Sequence, residues 1–516
     1  MKDNMLGVML DCSRGAVMTV DTVKNYADIL AKMGYNTLML YTEETYEIPS
    51  EPFFGYMRGR YTADELREID AYCESIGIEL VPCIQTLAHL EQMFRWTDAY
   101  NDIRDCDNIL LADEPKTYEL IEKMFKTCRE CFKTDTIHIG MDEAMNVGLG
   151  KYLQKHGYHD RFDIINKHLH RVCDIAKKYG FNPMIWSDMF CKLAGADEDI
   201  NAVREKAALP DNVTLVYWDY YSTEYDNYIG GLKKNLAFGR PTAFAGGAWT
   251  WRGFAPDNAY SIDATRAALK ACKDNGVTNV FFTSWGDGGS ECSKYVVLPA
   301  LMYAAELYRG NDDAEDIKRK FKEITGEDFD AIASADLLDD TANENDFPHW
   351  NFAPCKFSLY NDPFLGFEDR RCYIGMSEYY AGLEKKYAEV AETSKYSFAF
   401  KVYENLCKIL KYKSDLGLRT REAYKNGDKK ALAYLAHNDY NGAIAGIEPF
   451  CDSFRKSWML QNKPFGFEGH ERSLGALELR LKSCRDRILS YVNGEIDKID
   501  ELEEKPIKEL YDFINK

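Results

Sequence analysis

No stretch of this 516-residue chain approaches the roughly 18 consecutive apolar residues that a membrane helix needs. An excess of basic residues is missing too: 64 Lys and Arg stand against 84 Asp and Glu, for a formal net charge of −20. Such a chain presents no basic face to neutralise phosphates, which excludes nucleic acid and anionic membrane as main partners. Histidine is scarce, at 9 residues. No Cys/His cluster has zinc-ligand spacing, so a metal-dependent hydrolase lacks its material. The 15 cysteines are odd in number and scattered without a disulfide framework, with Cys73, Cys173 and Cys272 inside helical patterns. They read as buried or free thiols of a reducing compartment. The opening Met-Lys-Asp-Asn-Met-Leu-Gly-Val-Met-Leu-Asp has an apolar run too short for a signal peptide, and an acid ends it. The expected location is cytoplasmic. A glycine-rich phosphate turn is absent as well. The turn after the first apolar run is Asp11-Cys12-Ser13-Arg14-Gly15, without the G-x-G-x-x-G of doubly wound dinucleotide folds.

What is present is a rhythm. Eight short apolar runs, Leu6–Leu10, Thr37–Tyr41, Glu79–Ile84, Thr136–Met141, Pro183–Trp186, Thr214–Trp218, Thr242–Ala245 and Asn279–Thr283, alternate with amphipathic stretches. Most are unbroken rather than alternating, as in strands covered on both faces. Between them, polar caps and terminal glycines punctuate helices: Val23–Met33 after Asp21 and before Gly34, and Ala63–Ser75 after Thr62. Strand then helix, eight times, predicts a (β/α)8 TIM barrel over residues 1–310. From 311 to 516 long charged amphipathic stretches, the last over 499–513, predict an α-helical C-terminal domain. A structural appendage is the favoured role for it, with a homodimer interface or a wall of a substrate cleft as alternatives.

In a barrel, functional groups sit at the C-terminal ends of strands. Those windows hold Asp11 and Arg14, Glu43 and Glu44, Gln85 and His89, Asp142 and Glu143, Trp186 and Asp188, Trp218, Asp219 and Tyr220, Trp249 and Trp251, and Trp285 and Asp287. Five of the eight tryptophans fall in the four windows after strands five to eight, where core tryptophans would be spread through helices and strands. Indoles around carboxylates suit a pyranose, whose C–H faces pack on rings while its hydroxyls bond to Asp and Arg. Taken singly, Trp186 or Trp218 could fill a barrel layer, Arg14 could be a surface ion-pair partner, His89 a satisfied core histidine and Asp287 a turn former. Asp142-Glu143 could equally cap the next helix. Convergence at one rim carries the functional case, because adjacent desolvated acids repel and collect where acid–base chemistry is done.

The strand His138-Ile-Gly-Met-Asp142-Glu143 resembles the Asp-Glu motif of family-20 glycoside hydrolases, the β-N-acetylhexosaminidases. The early Arg14, the later tryptophans and Trp285-Gly-Asp287 are similar to that family's pattern over roughly residues 5–310. Among its departures, Asp287 stands where the family usually has Glu, and its Tyr-x-Asp motif after strand seven is not evident. The resemblance implies an exo-acting, retaining hydrolase of terminal N-acetylglucosamine or N-acetylgalactosamine on an oligosaccharide or glycoconjugate. The substrate's own acetamido group would be the nucleophile, and no metal or organic cofactor would be needed.

By the same resemblance Glu143 is the general acid, its pKa raised by partial burial and by Asp142, which holds the acetamido N–H. Tyr220, or its rival Tyr217, donates to the acetamido oxygen. Trp186, Trp218, Trp249 and Trp285 wall the sugar. Arg14 and Asp287 bind its hydroxyls, and His89 pairs with Glu43 or Glu44 behind Glu143. Alternatives are a two-carboxylate glycosidase acting on plain hexosides and a non-catalytic glycan-binding barrel.

Overall fold

The structure, a computed structural model, describes residues 4–193, 204, 207–341, 348–507 and 510. Eight parallel strands close in sequence order into a barrel: β1 (Leu6–Asp11), β2 (Thr37–Glu43), β3 (Glu79–Ile84), β4 (Thr136–His138), β5 (Asn182–Trp186), β6 (Thr214–Trp218), β7 (Thr242–Gly247) and β8 (Val280–Ser284). Helices follow each strand, which makes this the (β/α)8 architecture expected, with a helical C-terminal region after it. The strands are apolar on both faces because both are covered. Met9, Met39, Val81, Met184, Val216 and Phe281 fill the barrel interior, while their strand neighbours Val8, Leu10, Leu38 and Leu40 are equally buried.

Local chemistry sets the helix boundaries. Thr19, not Asp21, caps the first helix: its Oγ1 accepts the Thr22 N–H at 3.2 Å, so the helix begins at Val20 and Asp21 lies in its first turn. Thr62 and Glu65 form a reciprocal capping box on Ala63–Ser75. The one Cys-x-x-Cys, Cys128 and Cys131, lies within the helix Pro115–Cys131 with both thiols buried and free.

β4 is shorter than the run Thr136–Met141 predicts. Gly140 (φ 70°) and Met141 (φ 73°) turn into the left-handed region, which ends extended pairing at His138. Asp142 and Glu143 therefore follow the strand on an irregular turn. The next helix starts only at Lys151, so neither acid caps it.

By compactness the chain forms two units. The first comprises Met1–Trp249, Ala259–Gly286 and Ala300–Thr325; the second comprises Thr250–Asn258, Asp287–Pro299 and Gly326–Lys516. The second has its own core, where Tyr387 packs on Phe400 and Tyr403 at centroid distances of 6.0 and 5.4 Å. Its separate pieces are stitched by specific bonds: Tyr403 Oη donates to the Phe254 carbonyl (3.0 Å), Ser293 Oγ to Gln461 Oε1 (2.6 Å), and His470 Nε2 lies 2.9 Å from the Gly289 carbonyl. Lys413 is fully buried there, its amine donating to the carbonyls of Ser358 (3.1 Å) and Asn361 (2.5 Å). Burial pulls its pKa down to about 8, against the opposing charges of Cys372, Asp362 and Asp369. Of the expected helix over 499–513, Asp500–Glu503 is helical, while residues 508, 509 and 511–513 lie outside the described residues. Among the described residues no helix is long and apolar enough to cross a membrane.

Candidate active site

The ends of β1 to β4 deliver a polar cluster on an unusual backbone. Ten described non-glycine residues have positive φ. Four of them, Glu43 (44°), His89 (58°), Met141 (73°) and Glu143 (52°), stand at or just after the ends of three adjacent strands. Each such residue costs on the order of 1–2 kcal/mol, and strain concentrated at one rim marks a place where side-chain direction outweighs local stability. Gly140 is demanded by its setting: a Cβ there would lie 2.0 Å from Gln85 Oε1.

Gln85 organises the cluster. Its Nε2 donates to Asp142 Oδ1 and to Tyr41 Oη, both at 2.8 Å, and its Oε1 accepts the Met141 N–H at 3.1 Å. Tyr41 Oη donates onward to Glu43 Oε1 (3.0 Å), which lies 3.3 Å from Arg14 Nη2. Asp11 holds the Arg14 turn. It accepts the Ser13 N–H (2.8 Å) and Oγ–H (2.7 Å) on one oxygen and the Gly286 N–H (2.9 Å) on the other. A continuous chain of contacts thus runs from Arg14 to Asp142. Burial pushes the Glu43 carboxyl up, with Arg14 as the main opposing charge.

The second oxygen of Asp142 lies 3.2 Å from His89 Nε2, and Glu143 Oε2 lies 3.7 Å from the same nitrogen. The first contact is bent away from the N–H direction, since Nε2 completes no well-formed hydrogen bond, and it acts by charge. Burial opposes a charged His89, but Asp142 outweighs it and raises the imidazole to about 9. Burial likewise opposes the Asp142 charge, and His89 with Gln85 holds that carboxyl below the usual range. The pair is ionised at neutral pH. His89 does not pair with Glu44, whose Oε1 instead takes Arg58 Nε at 2.9 Å. Glu43 is engaged by Tyr41 and Arg14 and influences His89 only as a nearby charge. Glu143 departs from expectation in burial: its side chain is 53% exposed. Behind it, Asp188 Oδ2 accepts the Glu143 N–H at 3.3 Å and lies 3.3 Å from Lys192 Nζ. Burial and the Asp142 charge raise Asp188 to about 6.

The aromatic residues divide into floor and walls. Trp186 is 1% exposed and belongs to the barrel-interior layer, with Trp218 and Trp285 packed against that layer. Trp285 meets Tyr41 edge-on at 4.7 Å. Trp218 stacks on Tyr220 at 5.3 Å. Tyr220 is hydrogen-bonded to the Thr283 and Trp285 side chains and feels the Asp142 charge. The rival Tyr217 donates instead to Asp219 Oδ2 (3.1 Å) and abuts Gly231 on the helix Tyr225–Ala237. Trp249, expected to wall the sugar, is instead 1% exposed and packed edge-to-face on Tyr221 (5.6 Å) and Tyr260 (5.3 Å). Asp287 belongs to the second compact unit. Four of the described residues' buried polar atoms without a hydrogen-bond partner lie around the first unit's floor: His138 Nε2, Trp186 Nε1, Asp188 Oδ1 and Ser284 Oγ. Interiors rarely tolerate these unless the place serves a ligand or ordered water. Among the described residues no group of His, Cys, Asp or Glu could hold a metal ion.

The geometry joins Arg14, His89, Asp142 and Glu143 in one network, and Trp218, Tyr220 and Trp285 in a neighbouring aromatic wall. Sequence patterning missed Tyr41, whose place near the end of a strand hides its hydroxyl's role, and the use of Gln85 as a bridge.

Two family models match the chain: the catalytic domain of glycosyl hydrolase family 20 over residues 6–230, and the glycoside hydrolase 20C C-terminal domain over residues 327–512. The chain belongs to glycoside hydrolase family 20. Curated relatives of this family-20 chain include human hexosaminidase D, 25% identical over 219 residues, covering 40% of this chain and 43% of that protein. Another is a probable β-hexosaminidase of Arthroderma benhamiae, 23% identical over 339 residues, covering 58% and 51%. The match thus spans about half the length of these relatives. Among solved structures, the family-20 exo-β-N-acetylglucosaminidase of Vibrio harveyi in complex with N-acetylglucosamine is similar, with a TM-score of 0.48, 16% identity and 62% and 57% of the two chains covered. The β-N-acetylhexosaminidase of Bacteroides fragilis has a TM-score of 0.46 at 22% identity, covering 59% and 65%.

Proposed function

We propose that this chain hydrolyses terminal β-linked N-acetylhexosaminides with retention, through an oxazolinium intermediate formed by the substrate's own acetamido oxygen. The observation that carries this reading is the unlike treatment of two adjacent acids. Asp142 is enclosed and held ionised by Gln85 and His89, whereas Glu143 reaches solvent. A retaining enzyme with its own nucleophile sets two carboxylates about 5 Å apart across one bond. Here one acid is enclosed and its neighbour, on left-handed backbone, is open to solvent, which suits action on different parts of one sugar.

In the proposed reaction Glu143 gives its proton to the glycosidic oxygen as the C1–O bond breaks. The acetamido oxygen closes on C1, already positioned by the substrate's own covalent frame. Asp142 accepts the acetamido N–H and stabilises the positive ring. Tyr220 donates to the acetamido oxygen, and Trp285 and Trp218 exclude water around the methyl group. Glu143 then takes a proton from the water that opens the ring. His89 removes the repulsion that would otherwise penalise Asp142 beside Glu143. The fifteen thiols, all free, support a reducing compartment.

Asp142→Asn is expected to lower turnover of a chromogenic N-acetyl-β-glucosaminide by orders of magnitude, and the matching glucoside to be almost inert with the wild-type protein. Equal rates on the two sugars would mean an ordinary two-carboxylate mechanism instead.

A further inference from the structure

Two loops on the strand-end rim hold aromatic rings in solvent. In the loop after β2, Phe53 is 43% exposed, Tyr56 42% and Met57 61%. In the loop after β3, half-buried Trp96 touches both rings, with centroids 5.4 Å from Phe53 and 5.3 Å from Tyr56. The first loop is firmly built. Phe54 is fully buried against Tyr46 (5.1 Å). Thr45 and Glu47 exchange backbone bonds with Tyr61, both 2.9 Å. Arg58 Nε donates to Glu44 Oε1 at 2.9 Å, and its Nη2 donates to the Ser13 carbonyl. The rings are therefore preorganised, so a ligand settling on them loses little to ordering the protein.

The scaffold is continuous with the acid site. Ser13 precedes Arg14 and Glu44 follows Glu43 in the chain. Trp96 shares its loop with His89, whose Nε2 lies 3.7 Å from Glu143 Oε2. The short stretch between them, which includes a 3-10 turn at Met93–Arg95, keeps Trp96 within roughly 20 Å of His89. Asp142 is enclosed by Gln85 and His89 while Glu143 is open, so a glycan continuing past the cleaved bond leaves on the Glu143 side.

We infer that Phe53, Tyr56 and Trp96 form a stacking platform for the aglycone sugars of an extended glycan, binding pyranose C–H faces one or more units beyond the bond that Glu143 protonates. This rests on the proposed function. A second protein copy is the poorer occupant. Two rings about 40% exposed present roughly 150–200 Å², far short of the ~800 Å² per partner of a standard interface.

The test compares kcat/KM for a β-linked N-acetylglucosamine tetrasaccharide with that for methyl N-acetyl-β-glucosaminide, in wild type, in the Phe53→Ala/Tyr56→Ala double variant and in Trp96→Phe. The two residues of the double variant are exposed enough to be replaced without loss of the fold. The expected result is about a tenfold fall in the tetrasaccharide-to-methyl ratio for the double variant, carried by KM, and a smaller fall for Trp96→Phe. An unchanged ratio overturns the platform, and an unchanged ratio with a change of mass in light scattering assigns the rings to a contact between copies. If wild type cleaves neither substrate, the proposed function itself falls and takes this inference with it.

Discussion

Replacing His89 with Asn isolates the charge pair on which the site is built. Asparagine tolerates the left-handed backbone found at position 89 (φ 58°), so the variant removes the imidazolium without adding backbone strain. His89 is raised from 6.5 to about 9 in the fold. A group whose folded pKa is raised stabilises the protein fully below its unfolded value, and that contribution is lost as pH rises through the folded value. The window is therefore pH 6.5 to 9. At 1.36 kcal/mol per pKa unit the shift corresponds to about 3 kcal/mol. The side chain is only 13% exposed, so solvent screening removes little of it. The depressed Asp142 carboxyl is the same interaction seen from its partner and adds nothing further. Urea unfolding followed by tryptophan fluorescence at pH 6.5 and pH 10 measures the effect. Wild type is expected to lose about 3 kcal/mol more than His89→Asn between those two values, the variant cancelling the groups that titrate in the range independently of His89. Parallel losses in the two proteins would refute the pairing.

Gly140→Ala should lower kcat by about a hundredfold, because its Cβ displaces the Gln85 amide that positions Asp142. Gly180→Ala, at a similar φ of 72° but with open space around it, should lose about 1 kcal/mol of stability and keep its turnover; equal activity losses at the two glycines would show that backbone strain alone is responsible. Lys413 has the opposite linkage to His89. Its folded pKa is depressed to about 8, so the second unit should gain up to roughly 3 kcal/mol as pH rises from 8 to 10.5. Lys413→Met should abolish that gain in the same unfolding measurement.

The barrel was legible because eight doubly covered strands leave unbroken apolar runs, and because strand ends are the positions from which a barrel can act. The clustering of Arg14, His89, Asp142 and Glu143 followed from that periodicity alone. The direction of each side chain did not. Glu43, His89, Met141 and Glu143 adopt left-handed backbone without being glycine, and nothing in their identities signals it, since tertiary contacts impose the conformation. The same hidden turn shortened β4 and exposed Glu143. Thr19 displaced Asp21 as a cap because either residue can accept the N–H, and only packing chooses between them.

The second compact unit is discontinuous in the chain: residues 250–258 and 287–299 belong to it, although strand β8 is encoded between them. During synthesis these two segments leave the ribosome before the helices that bond to them through Tyr403, Gln461 and His470 have been made. Until then their backbone groups must be satisfied by water or by temporary partners. A fragment beginning at residue 326 would lack two of the helical unit's three pieces, so truncation there is a poor route to that unit on its own.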